Sequence, residues 1–399
     1  MYQKLVSRNP DLGRLADKGY AIAFDSNCLI VRDIPYLDQT GSLAWGSLVA
    51  KLVFIDRERV EQDDHQVYFA GSPPHGLDGQ AIRNLGGGPA TIQLSASCSD
   101  IVVERSFSNK PRIAGRFADF FDKIESYVAI IAGPAIEKYA ANPFTFRACE
   151  TVAEHPVFKF QDTLTSRAQI SDLTAKLEND IVAIIGLGGT GGHLLDGLVK
   201  TPVREIRGFD GDRFHVHTSF RSPGRLDERE LGQFKADVYR ERYAHFRHGL
   251  TLKPVYIDET SRAELEEVTF AFVCVDKGSA RAAIFALLAK LGIPFIDVGM
   301  GLRRKDDGLA GMLRVTHYPA DEALAMMRLG LAELSDGPGD LYRNNIQIGE
   351  LNAINAALAL VRYKQVRGFY REDAAYKHLL FAINDLSSVG ETDFDAHAA

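Results

Sequence analysis

The first 110 residues alternate short apolar runs with polar, turn-rich pieces. Strand-like runs fall at Cys28–Val31, Ser47–Ile55, Gln66–Ala70, Thr91–Ser97 and Ile101–Arg105, separated by pieces such as GSPPHGLDG at 71–79 and GGGP at 86–89. The period changes at 115–140. There Phe117, Phe120, Phe121, Ile124, Tyr127, Val128 and Ile131 recur at three- and four-residue steps, which predicts a helix with an apolar face turned to a core. ANPFTF and HPVF break the pattern between 141 and 155. Residues 1–150 therefore read as a smaller α+β domain of their own.

From 151 onward the texture is different. A helical stretch, Thr163–Leu177, leads to the apolar run Ile181–Ile185 and a helix-compatible segment, Gly192–Lys200. Strands are expected at 203–209, 252–257, Thr269–Val275 and Pro294–Val298, with a β-like run at Gly311–Thr316. Helices are expected at 228–246, 261–266, 278–291 and 341–366. Alternating strands and helices predict a Rossmann-like, doubly wound α/β domain with a largely parallel sheet over 151–399. The last helix carries Ala353, Ala356, Ala357 and Ala359, small residues that permit close packing, a second subunit being one candidate partner.

Composition narrows the class. The 399 residues are 46% hydrophobic and 25% charged, with net charge -7, as in a water-soluble globular protein. The acidic balance argues against nucleic acid as the main partner. No apolar run approaches the roughly 18 residues of a membrane span. The segment MYQKLVSRNPDLGRL lacks the features of a signal peptide, so a cytoplasmic location is expected. Cys28, Cys98, Cys149 and Cys274 form no C-x-x-C pair, which argues against a four-cysteine zinc site or a disulfide framework. The pairs His215/His217 and His65/His75 lack a nearby third ligand.

The chemistry starts at IVAIIGLGGTG, residues 181–191. An apolar strand stops at Gly186, Gly188, Gly189 and Gly191, and a helix begins. Glycines let a phosphate approach the backbone, and free N–H groups at a helix start favour an anion. About 20 residues on, the next strand ends in Asp210, placed to bond a ribose hydroxyl. Asp212, Arg221 and Lys235 come next, and the strand FAFVCV ends at Asp276. The loops at the carboxyl ends of such strands share one crevice. Arg221 and Lys235 are placed to neutralise a triphosphate, and Asp276 to hold Mg²⁺ together with phosphate oxygens.

On these residues the chain resembles the ThiF/MoeB/ubiquitin-activating enzyme superfamily over roughly 160–366, in the order GLGGTG, FDGD, arginine, LGQxK and an apolar strand ending in Asp. The resemblance implies a ThiF-like fold and an adenylyltransferase that uses ATP and Mg²⁺ to activate a C-terminal carboxylate. The usual substrate is a ubiquitin-like protein with a C-terminal glycine. It further implies Asp210 on ribose, Arg221 and Lys235 on phosphates, and Asp276 on magnesium. Arg167 stands where the family carries an arginine that reaches ATP in the other subunit of a homodimer. A downstream conjugating enzyme and a bacterial ubiquitin-like operon, with residues 1–150 as an accessory domain, belong to the same implication.

The chain departs from the family pattern in three places. Thr218, which can still bond a phosphate or ribose, stands for an Asn, and Lys277 comes after the metal-binding Asp where an Asn is usual. No cysteine follows Cys274, so a thioester within the adenylation domain is not expected, and the family's paired zinc cysteines are missing. Three other readings stay open. One keeps the adenylation and takes a peptide or tRNA-linked carboxylate. An NAD-dependent oxidoreductase leaves Arg221, Lys235 and Asp276 unexplained. A catalytically silent nucleotide-binding scaffold is suggested by Thr218 and Lys277.

Overall fold

The computed structural model describes residues 2–147, 157–336 and 346–392, apart from 26, 57, 93, 95–97, 99, 112–114, 161 and 169. Two compact units divide the chain, Met1–Ser171 and Asp172–Ala399.

The first unit opens with helices α1 (Tyr2–Arg8) and α2 (Pro10–Lys18). Strands β1 (Ala21–Asp25), β2 (Cys28–Leu37), β3 (Leu43–Phe54), β4 (Val60–Gln62), β5 (Val67–Ala70), β6 (Gly88–Pro89) and β7 (Arg105–Phe107) come next. Their sheet runs β1-β2-β3-β5-β7-β6, with β4 on β3, and every pairing is antiparallel. Helix α3 (Phe120–Tyr139) starts where the Asp119 carboxylate accepts a bond from Asp122 N–H at 2.8 Å, a side-chain cap on an otherwise orphan donor. The aromatic stripe proves to be core: Phe117, Phe120, Ile124, Tyr127 and Ile131 are buried against Leu29, Val31 and Phe69. Of the expected strands, part of Thr91–Ser97 lies outside the described residues, and 101–104 is not a strand, which begins only at Arg105. Short helix α4 (Thr163–Ala168) ends this part of the chain, and α5 (Ser171–Thr174) runs from the first unit's last residue into the second unit.

The second unit is built on strands β8 (Ile181–Ile185), β9 (Glu205–Phe209), β10 (Leu250–Lys253), β11 (Phe270–Val273), β12 (Phe295–Lys305), β13 (Gly308–Tyr318), β14 (His378–Ala382) and β15 (Ser387–Glu391). Helices α6 (Gly189–Leu198), α7 (Val216–Ser219), α8 (Lys235–Ala244), α9 (Gly278–Leu291), α10 (Ala323–Met327) and α11 (Gly349–Val366) connect them. The sheet order is β10-β9-β8-β11-β12-β13-β14-β15. From β10 to β12 the pairs are parallel, and from β12 to β15 antiparallel. Residues of α6, α8 and α11 cover one core, around Leu195, Tyr239 and Ala359. Residues of α9 and α10 cover the other, around Ile284, Phe285 and Met326. The two-faced α/β architecture read from the alternation is thus present, with an antiparallel edge added.

Local differences have local causes. The expected 228–246 helix is split: Asp227 caps a single turn at Glu228–Glu230, Leu231 turns extended, and α8 starts at Lys235. Ala356 and Ala359 are buried in this unit's own core, where α11 lies on α6. The strand β15 (SSVGE) is polar and mostly exposed and gives no signal in the sequence pattern, whereas β14 carries the short apolar run Leu379–Ala382, which the alternation over 151–399 did not single out.

Candidate active site

Strand β8 has β9 on one side and β11 on the other. The chain leaves β8 toward β9 and later returns to the opposite side, which makes this the point where strand order reverses. Ligands of such sheets bind outside the carboxyl ends of the strands at that point. The glycine turn after β8 and the Asp276 loop after β11 flank it. The two strand ends are locked together, Cys274 N–H donating to Ile185 O at 2.8 Å.

Two glycines are required by contact. Gly186 has φ +95, and a Cβ there would stand 2.7 Å from Cys274 O. A Cβ on Gly191 would stand 1.9 Å from Gly186 O. Gly188 is different: a Cβ there would meet nothing within 4 Å. Open space therefore lies at the start of α6, whose cap position has no side-chain hydrogen bond. The first N–H groups of a helix have no intrahelical acceptor, and there they suit an anion.

Asp210 is buried beneath this turn. Its Oδ2 accepts from Leu187 N–H at 2.7 Å and its Oδ1 from Asp212 N–H at 2.8 Å. Lys235, at the first position of α8 and 6% exposed, places Nζ 3.4 Å from Asp210 Oδ2 and 2.7 Å from Asp212 Oδ2. Burial raises the Asp210 pKa, and Lys235 opposes that only in part. Burial also pushes Asp212 upward, but the bonds from Lys235 and Tyr256, with the nearby charge of Lys277, outweigh it and hold the carboxyl below its ordinary range. Tyr256 donates to Asp212 Oδ1 at 2.6 Å. The structure thus brings Asp210, Asp212 and Lys235 into one cluster.

Thr218, on α7, is fully buried, and its Oγ1 accepts from His215 N–H at 3.3 Å. It therefore braces its own short helix. Arg221 comes just after α7, its N–H donating to Thr218 O at 3.1 Å. The Arg221 Nε is buried and has no hydrogen-bond partner among the described residues. Burial and then the charges of Arg221, His215 and Lys235 lower the His217 pKa, which puts Arg221 and Lys235 in one electrostatic neighbourhood. The His215 and His217 rings stack with centroids 5.6 Å apart. Among the described residues no group of three His, Cys, Asp or Glu is arranged to hold a metal.

Asp276 is exposed on the loop between β11 and α9, and its carboxylate makes no hydrogen bond or ion pair with the described residues. Lys277 occupies the cap position of α9. Arg167 lies on α4 in the first unit, and its side chain is outside the described ones, as is Cys149. The Cys274 thiol is desolvated, and the Asp297 carboxylate adds to that, so its pKa is pushed well up. Cys28 is likewise raised to about 11 by burial. His65 Nε2 lies 2.8 Å from Ser108 Oγ, and His75 Nδ1 lies 2.7 Å from Pro73 O.

Sequence reading missed two supporting groups. Asn352 on α11 is buried against Gly189, its Oδ1 accepting from Thr190 Oγ1 at 2.8 Å. Beneath the Asp276 loop, buried Asp297 binds Arg281 and Arg314. The acid inside the apolar run FIDVG was the available signal, since a buried acid needs a partner.

The fold defines a Rossmann-like domain, with the crevice at its switch point. Its residues fit a nucleotide with a divalent cation: an open helix start, an orphaned guanidinium nitrogen and an exposed strand-end carboxylate. Residues 163–334 match the ThiF family model, so this part of the chain is a ThiF family domain. Residues 10–163 match a family described as Domain of unknown function (DUF6791). Among solved structures, the chain is similar to E. coli MccB with succinimide, at 17% identity over 55% of this chain and 66% of that one, TM-score 0.42. For E. coli MccB with ATP the figures are 17%, 56%, 67% and 0.40. For PaaA they are 14%, 86%, 98% and 0.45. The chain thus spans just under two thirds of the MccB chain in the first of these, at 66%. No curated protein matches it. Among the described residues no helix is long and apolar enough to cross a membrane.

Proposed function

We propose that residues 151–399 adenylate the C-terminal carboxylate of a ubiquitin-like protein, using ATP and Mg²⁺, as one half of a homodimer, with residues 1–150 as an accessory domain. The observation that carries the reading is the open glycine turn beside the Asp210–Lys235–Asp212 cluster, with the exposed Asp276 at the adjoining strand end. An NAD-dependent oxidoreductase has no use for that carboxylate or for the orphaned Arg221 nitrogen.

The substrate carboxylate oxygen attacks the α-phosphorus of ATP. The bond from that phosphorus to the bridging oxygen breaks, and pyrophosphate leaves. The turn at Gly188 and the start of α6 cradle phosphates. Asp210 is the residue to accept bonds from ribose hydroxyls, in exchange for its long contacts from Lys235. Arg221 and Lys235 neutralise the charge that builds on the leaving group, which is work of positioning and electrostatics. Asp276 is the residue to hold Mg²⁺, which when bound polarises phosphate oxygens. Arg167 serves the partner's site. The raised Cys274 thiol is a poor nucleophile, so the adenylate passes to a nucleophile on a downstream conjugating enzyme.

Pyrophosphate exchange tests the reading, with small ubiquitin-like proteins ending in glycine as substrates and C-terminally amidated forms as controls. Exchange that needs the free carboxylate supports it. Exchange with short peptides alone moves the substrate to that class, and NAD binding without exchange sinks the reading. Mixing Arg167→Ala with Lys235→Ala subunits should rebuild one intact site in a heterodimer. No rescue after verified subunit exchange would place each site within one chain.

A further inference from the structure

Asp276 is held by nothing through its own side chain among the described residues. Its direction must come from the backbone that carries it. Beneath that backbone lies a set of buried charges that the adenylation chemistry does not use. Asp297, on β12, is 0% exposed. Arg281, from α9, donates Nε to Asp297 Oδ1 at 3.0 Å, and Arg314, from β13, donates to Asp297 Oδ2. A carboxylate so deep needs both cations, because an unpaired buried charge is strongly destabilising.

The rest of the Arg281 guanidinium points toward the site. Its Nη2 donates to Val275 O at 2.5 Å, the carbonyl immediately before Asp276, and its Nη1 to Glu333 O at 3.0 Å. Arg314 Nη1 donates to Leu331 O at 2.6 Å. The Asp336 carboxylate accepts from Ser279 N–H at 3.1 Å and from Ser279 Oγ at 2.5 Å, at the start of α9. Ser335 O lies where a Cβ on Gly278 would be, 2.2 Å away. The loop carrying Asp276 is therefore tied from below to β12 and to residues 331–336.

We infer that Arg281, itself fixed by Asp297, is a positioning residue for Asp276: it clamps the Val275–Asp276 peptide so that the exposed carboxylate is presented to the cation of a bound nucleotide. The inference rests on the adenylation reading. A ligand on a loop loses most of its value when its supporting shell is loose, since productive geometry tolerates only about 0.5 Å.

The test uses the full-length protein and direct binding, so it does not depend on turnover. ATP affinity is measured by calorimetry with and without Mg²⁺, and the ratio is the coupling between the two. Wild type should show strong coupling, and Asp276→Ala should lose it. Arg281→Met should lower it about tenfold, with ATP affinity in the absence of Mg²⁺ unchanged. The double variant should be no worse than Asp276→Ala, because the clamp acts only through that carboxylate. Full coupling in Arg281→Met, or an added loss in the double variant, overturns the inference. Should Arg281→Met fail to fold, Arg281→Met/Asp297→Asn removes that ion pair and leaves Arg314 on Leu331 O, and it is read in the same way. Coupling intact in Asp276→Ala overturns the adenylation site itself, and absence of coupling in wild type overturns both.

Discussion

Two glycine-rich stretches, GGGP at 86–89 and GLGGTG at 186–191, look alike in sequence and do different things in the fold. In the first, Gly86 and Gly87 have φ +60 and +76, and a Cβ on them would lie 2.7 Å from Ser108 O and 2.0 Å from Ser106 O. Gly88 and Pro89 then pair antiparallel with Ser106 and Arg105. These glycines let one backbone lie against another, and the chain goes on into a sheet at Gly88. In the second, Gly186 and Gly191 serve close packing in the same way, but Gly188 opens on empty space at a helix start. The element that the chain enters after a glycine turn decides the turn's use. A short strand closes the backbone on itself, whereas a helix leaves N–H groups unspent.

The largest expected effect tests what the second stretch has beside it and the first lacks. Asp276→Ala should reduce pyrophosphate exchange by about a thousandfold, on the order of 4 kcal/mol of lost charge stabilisation. Its melting temperature should stay at the wild-type value, because the side chain is exposed. Near wild-type exchange would remove Asp276 from the site.

Next come two glycines, one from each stretch, that would drive a Cβ to about 2 Å from a backbone oxygen. Gly87→Ala and Gly191→Ala should each destabilise by about 3 kcal/mol, given strain in the first and a clash near 2 Å in both. Gly87→Ala should spare ATP binding, measured by calorimetry, while Gly191→Ala should lose it. Equal loss of binding in the two variants would erase the distinction between the two turns.

Separating the two units by pH would sharpen those measurements. Burial lowers Lys123, in the first unit, to about 8, and burial lowers His317, in the second, to about 3. For Lys123 the unfolded chain binds more protons between about pH 8 and 10.4, so stability rises with pH across that window. For His317 the unfolded chain binds more protons between about pH 6.5 and 3, so stability falls as the pH drops through it. At about 1.4 kcal/mol per pH unit, each window spans a few kcal/mol. Melting measured across pH should show Lys123→Met flattening the alkaline rise and His317→Phe the acid fall. Unchanged profiles would mean that other groups carry both slopes.

The smallest change is the most specific. Gly188→Ala has room, so its melting should be unaltered, yet ATP should bind about tenfold more weakly, because the methyl stands where phosphate approaches. Gly88→Ala also has room and should alter neither property. Tight ATP binding by Gly188→Ala would move the phosphates elsewhere.

Much of the second unit was legible because its signals are local. The strand at Ile181–Ile185, the glycine turn, and the acids at 210 and 276 are each set by a few adjacent residues. The aromatic stripe of α3 was legible for the same reason, as a helical period. The edge strand β15 was not, because pairing with β14 rather than side-chain pattern makes it a strand, and β14, despite its LLFA run, is placed by pairing with β13. In sequence Thr218 is a candidate group for phosphate or ribose, and tertiary packing buries it inside its own helix.

By itself the amino-acid order determined the alternating architecture of the second unit, the position of the turn and which acids end its strands. These come from period, from glycine's freedom and from polarity at strand ends, all of which act over a few residues. Only the tertiary structure decided that Lys235 spans Asp210 and Asp212, that Asn352 seals the Gly189 side of the turn, and that Arg281 reaches Val275 O from Asp297. Those contacts join groups from separate elements, and a buried charge or amide settles on whichever partner the packed core brings within hydrogen-bond distance.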